Sequence, residues 1–407
     1  MTRFERIGDA LGLRRSIVGM LSMVVLIGMG EKMSERFIPI YLVALGSGIF
    51  WPGALNAVNN LVGALYSYPG GWLAERIGVK QSLLVFNLLA IAGYLIVLVI
   101  PHWQAVLFAS LLFLSWSAIS LPATMSLISS TLPTNKQVMG VSMHSLIRRL
   151  PMALGPLAGG VLIDRWGPVN GVRIAFLGAI VMALVALVVQ QLLIEDQPRP
   201  SAPSMGNNPW RLLRRFSPQL KSLLASDILI RFCEQIPYAY VVLWCMRPVA
   251  GYHTAHVTAT QFGLLTATEM ATAVAIYLPV AKMADKSSKK PFVVITFVNF
   301  ALFPLLLFFS RSFAMLIVAF VLRGLKEFGE PTRKALILQL APKDRKATSY
   351  GAYYLFRDSI VALAAFAGAF LWTLNPAINL ISAFAFGMAG AIWFAVFGRD
   401  GEPATNQ

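Results

Sequence analysis

A chain of 407 residues with 57% hydrophobic residues and only 13% charged residues, and a mean hydropathy of +0.68, is not a soluble globular domain, which carries about 25% charged residues to face water. A net charge of +16 would suggest nucleic acid in a soluble protein. In a chain this apolar it reflects Lys and Arg gathered in cytoplasmic loops, so no nucleic-acid partner is expected.

The apolar residues come in blocks of about 20, the length that crosses about 30 Å of hydrocarbon as a helix. Backbone groups in lipid must bond within their own segment, which makes these blocks helices. The short alternating segments of a barrel are not seen. Twelve spans are expected, first at 17–44, 50–74, 82–100, 104–131, 138–163 and 173–194, then at 222–246, 261–284, 291–309, 313–340, 347–372 and 377–397. The run from Ile17 is too long for a cleavable signal, and no small-residue cleavage site follows it. Between the sixth and seventh spans lies "EDQPRPSAPSMGNNP" and then the basic amphipathic "WRLLRRF", a linker with a surface-lying helix. The expected organisation is an all-α integral membrane protein: a six-helix bundle over 1–194, a cytoplasmic linker over 195–221 and a second six-helix bundle over 222–407.

With the N-terminus in the cytoplasm, twenty loop Lys and Arg residues fall inside, and only Arg165, Arg173, Arg247 and Arg311 fall outside. That bias orients the chain in an inner membrane with both termini cytoplasmic. The two halves also repeat each other. "GWLAERIGVK" (71–80) aligns with "AKMADKSSKK" (281–290), Pro122 with Pro331, Arg148 with Arg357, and "ERFIPIYLVAL" (35–45) with "CEQIPYAYVVL" (233–243). Two pseudo-symmetric bundles of this kind place a substrate site near the membrane midplane.

"GGWLAERIGVKQSLL" (70–84) resembles the Gly-x-Leu-Ala-Asp-Arg-x-Gly-x-Lys signature of the major facilitator superfamily, with Glu75 replacing the usual Asp. The resemblance covers the whole length. It implies a gating motif of Gly71, Glu75, Arg76, Gly78 and Lys80, with Asp285 in its degenerate second copy, that latches the two halves on the cytoplasmic side. "GPLAGG" (155–160) resembles the tail of the motif of proton-coupled antiporters, although Ile147 and Pro151 stand where glycines belong. Gly155, Pro156, Gly159 and Gly160 form its helix-packing motif. "GEKMSERFIPIY" (30–41) is similar to the first-helix signature of proton-coupled peptide transporters, but its two glutamates are four residues apart instead of three.

An ionisable group at bilayer depth costs about 2.5–3.5 kcal/mol on insertion scales, yet this chain holds many. Glu31 and Glu35 share one helix face, as do Lys32 and Arg36, and the fifth span adds His144, Arg148 and Arg149. The second half carries Asp227, Arg231, Glu234, Glu269, Arg357 and Asp358, with a stripe of Arg323, Lys326, Glu327, Glu330, Arg333 and Lys334. Part of this set is expected to be structural, satisfied at i,i+4 as Arg323–Glu327, Lys326–Glu330 and Glu330–Lys334. Arg333, Lys334 and Asp227 are expected near the cytoplasmic interface. The proton-coupling candidates are Glu31, Glu35, Glu234 and Glu269, because two carboxylates one turn apart disfavour joint ionisation. The substrate-binding candidates are Lys32, Arg36, Tyr41, His144, Arg148, Arg149, Arg231, Tyr238, Arg323, Glu327, Tyr353 and Arg357. An excess of basic residues in the first half suits a substrate with a carboxylate or phosphate.

No phosphate-cradling Gly loop or His-Glu-x-x-His site is present. Cys233 and Cys245 share one apolar block and give neither a disulfide framework nor metal spacing, so no cofactor and no metal are expected. The expected protein is a monomeric, proton-coupled transporter of a small charged or amphiphilic molecule, exporting by antiport. Uptake of peptides or organic anions by symport is the alternative, and a non-transporting sensor or assembly factor is the reading of another class.

Overall fold

The computed structural model describes residues 15–113, 116–132, 143–195, 209–284, 288–342 and 346–399. Among these the regular structure is helical, apart from an isolated bridge between Val249 and Tyr252. In chain order the α-helices are α1 (Arg15–Glu35), α2 (Ile38–Ala44), α3 (Trp51–Ile77), α4 (Val79–Val99), α5 (Trp103–Phe113), α6 (Trp116–Thr131), α7 (Arg149–Leu193) and α8 (Pro209–Arg214). The remainder are α9 (Pro218–Gln235), α10 (Val241–Met246), α11 (Ala259–Ala284), α12 (Lys290–Phe309), α13 (Phe313–Leu325), α14 (Glu330–Leu340), α15 (Lys346–Leu374) and α16 (Pro376–Phe397). Seven helical stretches among the described residues are long and apolar enough to cross a membrane. One of them, Met143–Leu193, holds the fifth and sixth expected spans, divided at Gly167 with φ +79°. The number twelve itself rests on the sequence.

The first, seventh and tenth expected spans are broken helices. Each resumes with a proline that cannot donate to the preceding turn. Pro39 lies in the first turn of α2, Pro237 precedes the 3₁₀ turn Tyr238–Tyr240, and Pro331 opens α14. The charged residues gather at these breaks: Glu31, Lys32, Glu35 and Arg36 at the first, Arg231 and Glu234 at the second, and Arg323, Lys326, Glu327 and Glu330 at the third. Irregular backbone at membrane depth persists only where protein or a cavity satisfies it. The prolines therefore decide where the polar chemistry collects.

The chain forms two compact units. The first takes the described residues up to Gly48, those from Val62 to Ser204, and Thr258–Ala267; the second takes Ile49–Leu61, those from Met205 to Val257, and those from Thr268 onward. In the first unit the rings of Tyr94, Phe113 and Phe176 meet pairwise at 5.1, 5.7 and 5.4 Å. A buried polar relay runs from Trp116 to Asn87 (2.7 Å), from Asn87 to Gln190 (2.6 Å) and from Gln190 to the Lys80 carbonyl (2.8 Å). In the second unit Tyr240 stacks on Trp372 at 4.5 Å and donates to the Ile49 carbonyl at 3.2 Å. There Asn56 and Asn60 both donate to the Gln235 side chain at 3.0 Å.

Helices in lipid gain little from the hydrophobic effect and pack through small residues instead. A Cβ on Gly159 would strike the Met33 backbone, and one on Gly155 would lie 2.6 Å from the Lys32 Cβ, so α7 lies tight against α1. We expect Gly159→Val to cost about 1–3 kcal/mol through overpacking. Gly351→Ala, whose Cβ meets nothing within 4 Å, should be neutral or stabilise by up to about 1 kcal/mol. Thermal unfolding in detergent checks the pair; equal midpoints would contradict this packing.

Candidate functional site: a buried charge network in the second unit

Helix α9 presents Asp227, Arg231 and Glu234 along one stripe, and α11, α13, α14 and α15 bring charges to meet them. Two clusters result, joined through Arg231. The first is centred on Asp227, which is 1% exposed. Its carboxylate accepts from Arg333, from the Tyr353 hydroxyl at 3.0 Å and from Arg357 at 3.4 Å. Arg333 also grips Glu330 with two parallel bonds of 3.0 and 2.6 Å. Such fork-to-fork pairing fixes geometry as well as charge, and this cluster holds α9, α14 and α15 together.

The second cluster is more exchangeable. The Lys326 ammonium lies 2.9 Å from Glu234 and 3.2 Å from Glu269. Arg323 stands 3.4 Å from the same Glu269 oxygen, and Arg231 donates to Glu234 at 2.6 Å. Glu269 is 0% exposed. Beside these groups lies a small cavity whose walls include Val241, Asn299, Phe300 and Phe303, with Glu234, Arg323 and Lys326 at its polar end. The Phe300 ring faces Arg231 at 5.4 Å and Lys326 at 5.8 Å, and the Phe303 ring faces Arg323 at 4.8 Å. Aromatic faces attract cations once water is excluded. The cavity therefore offers an apolar wall, a carboxylate and two cations to one occupant.

In the first unit Lys32 bridges Glu31, at 2.9 Å, and Glu35. Glu31 is 2% exposed and His144 4%, while Arg36, Arg148 and Arg149 are half-buried. Tyr41 is buried against Phe176, with ring centroids 6.5 Å apart. In the second unit Tyr238 lies half-buried in the 3₁₀ turn and Glu327 half-buried beyond α13. Tyr353 and Arg357 join the Asp227 cluster. Of the gating motif, Gly78 takes φ +91° between α3 and α4, Lys80 donates to the Gln191 carbonyl at 3.0 Å, and Arg76 is exposed. Gly71 and Glu75 belong to α3, but their side chains lie outside the described residues, as does all of Asp285.

One expectation needs correction. Lys326 turns to Glu234 and Glu269 rather than to Glu330, because the helix is interrupted between α13 and α14. Of the proposed pairs at i,i+4, Glu330–Lys334 is present, at 3.6 Å. Arg333 and Asp227 are each 1% exposed within the fold and form the core of the network. Sequence reasoning counted Lys326 among the stripe without making it a site residue, and it missed Asn299, Phe300 and Phe303. The signal for Lys326 was its place just ahead of a proline break, where two helices can present carboxylates to it.

The family model of the Major Facilitator Superfamily matches residues 20–253 and 238–407. The chain belongs to this superfamily. It is a multi-pass membrane protein, with several helices long and apolar enough to cross a bilayer. Among curated relatives, Multidrug resistance protein MdtG of Escherichia fergusonii is 28% identical over 198 residues, 47% of each chain. That of Citrobacter koseri is 33% identical over 148 residues, 35% of this chain and 36% of the relative. The match thus spans half or less of these relatives' length. Among solved structures, a peptide transporter POT in complex with sulfate superposes with a TM-score of 0.75 at 15% identity, covering 94% of both chains. A POT family transporter in complex with 5-aminolevulinic acid gives 0.71 at 16% identity, covering 93% of this chain and 96% of that one. At such identity the likeness shows the fold.

Removing one partner from a buried ion network leaves the others uncompensated, at about 3–5 kcal/mol. Asp227→Asn should therefore destabilise this superfamily member strongly. Asp358→Asn, at a carboxylate 36% exposed, should cost about 0–1 kcal/mol. Thermal unfolding of the two variants in detergent reads the difference, and similar midpoints would contradict the hub role.

Proposed function

We propose that the protein is a proton-coupled secondary transporter that exports small charged or amphiphilic organic molecules across the inner membrane by proton antiport. The observation that carries this reading is the single ammonium of Lys326 placed between Glu234 and Glu269, 2.9 and 3.2 Å away, at the polar end of an aromatic-walled cavity. A proton and Lys326 compete for the same carboxylate oxygens. When a proton takes Glu234 or Glu269, Lys326 and Arg323 lose one counter-charge and must move or find another anion. When a substrate cation approaches Glu234, the proton is the group most easily displaced. Either exchange changes the electrostatic energy of helices α9, α11 and α13 together. A ligand shifts a conformational equilibrium only through such a difference between states.

The multidrug-resistance relatives support export, and the mixed lining of Phe300, Phe303, Glu234, Arg323 and Lys326 supports an amphiphilic cargo. An acidic group on the cargo would meet Arg323 or Lys326, and in the first unit Arg36, Arg148 or Arg149. Uptake by proton symport is the second reading. It is favoured by the Lys32 bridge between Glu31 and Glu35, which gives the first unit a proton-exchangeable pair of its own. The distribution of Lys and Arg supports cytoplasmic termini, and transport within one chain supports a monomer.

Proteoliposomes with an imposed pH gradient and a panel of lipophilic cations, zwitterions and organic anions test the proposal. We expect Glu269→Gln and Glu234→Gln each to lower gradient-driven transport on the order of tenfold or more, while substrate exchange without a gradient persists. Substrate and proton moving in opposite directions supports antiport, and movement in the same direction supports symport. Driven transport undiminished in both variants would overturn the proton-coupling assignment.

A further inference from the structure

The segment Gly-Gly-Val-Leu-Ile-Asp-Arg-Trp-Gly at 159–167 repeats Gly-Gly-Trp-Leu-Ala-Glu-Arg-Ile-Gly at 70–78, with both glycines, the leucine, an acid, the arginine and the last glycine in register. Each copy ends on a glycine with positive φ, Gly78 at +91° and Gly167 at +79°, a backbone state that other residues reach only with strain. Each copy thus closes one helix and turns the chain straight into the next. Successive spans alternate direction, so the end of the second span and the end of the fifth lie on opposite membrane faces.

In the copy at 159–167 the acid has a defined partner. One carboxylate oxygen of Asp164 accepts from the Ala259 amide and the other from the Thr260 amide, both at 2.8 Å. These are the first two residues of α11, whose amides have no partner within their own helix. The helix already caps itself in the ordinary way, with Gln261 N donating to the Thr258 hydroxyl at 3.2 Å and Thr258 N to the Gln261 side chain at 2.9 Å. Asp164 adds a full negative charge at the positive end of the helix dipole. Glycines bring the two backbones together. A Cβ on Gly160 would strike the Ala259 carbonyl, and one on Gly263 would lie 2.5 Å from the Pro156 carbonyl oxygen.

The turn held in this way belongs to the first unit, together with Asp164, whereas α11 from Thr268 onward belongs to the second. Glu269 lies nine residues beyond Thr260 on the same helix, about 14 Å at 1.5 Å per residue. We propose that Asp164 is a releasable clasp on the first turn of α11, the counterpart on the other membrane face of the motif around Glu75. Its release frees the helix that carries Glu269. This role rests on the transport reading above, but the clasp itself is a contact that can be measured without transport.

Spin labels at Trp166→Cys and Leu264→Cys, both exposed, in a Cys233→Ser, Cys245→Ser background in lipid nanodiscs, report the clasp directly. We expect one short-distance population with Asp164 intact. Asp164→Asn, which removes the charge and one acceptor, should raise a longer-distance population roughly tenfold. Asp164→Glu should restore most of the short population. Gly160→Ala, which forces the backbones apart without touching charge, should raise the longer population as well. Faster amide exchange at Ala259 and Thr260 in Asp164→Asn, read by mass spectrometry, should accompany the shift. Distances and exchange unchanged in Asp164→Asn would overturn the clasp. A shift in these variants, alongside a wild type that moves no substrate in proteoliposomes, would keep the clasp and remove the transport reading.

Discussion

A charge at membrane depth has to be matched by another charge or by trapped water, and this constraint organises the second unit. Five helices converge on Asp227, Glu234, Glu269 and Glu330 because Arg231, Arg323, Lys326, Arg333 and Arg357 would otherwise be stranded. The network divides by geometry. Arg333 and Glu330 meet through two parallel hydrogen bonds, which resist rearrangement. Lys326 instead holds two carboxylates from two helices with one rotatable ammonium, which can let go of either. The first arrangement suits a joint and the second an exchange site.

Proline makes this convergence possible. A continuous helix would satisfy its own backbone and pair its charges along its own face, i with i+4. Pro237 and Pro331 interrupt that regularity, so that Glu234 and Lys326 meet between helices instead. Discontinuous helices near the bilayer middle are a general device for building transport sites. The Phe300 and Phe303 rings of α12 face these cations. Asp164, by contrast, engages a helix terminus, where it accepts from backbone amides fixed by the helix itself.

Much of this was legible in the sequence. Blocks of about 20 apolar residues, their duplication and the Glu75 motif were enough to read helical spans and the superfamily, because lipid leaves few alternatives for backbone hydrogen bonds. That Glu234, Glu269, Arg231 and Arg323 are candidate site residues followed from the cost of burying them. Their partners between helices did not follow, because periodicity assigns neighbours only within a helix, and Arg323 and Lys326 find theirs on other helices. The close burial of Asp227 and Arg333 was not legible for a related reason: position within a span does not reveal that a neighbouring helix covers the side chain. Asp164 was missed because a carboxylate bound to main-chain amides leaves no complementary charge in the sequence, although its motif repeats one that was recognised.

The claim on which the account depends most is that Lys326 and Glu269 are energetically joined inside the second unit. A double-mutant cycle on thermal unfolding, with Lys326→Met, Glu269→Gln and the two together, measures that directly. The account predicts that each single change destabilises more than the double change does, with a coupling energy of about 1–3 kcal/mol. Costs that simply add would show that the two charges do not sense each other and would contradict the account.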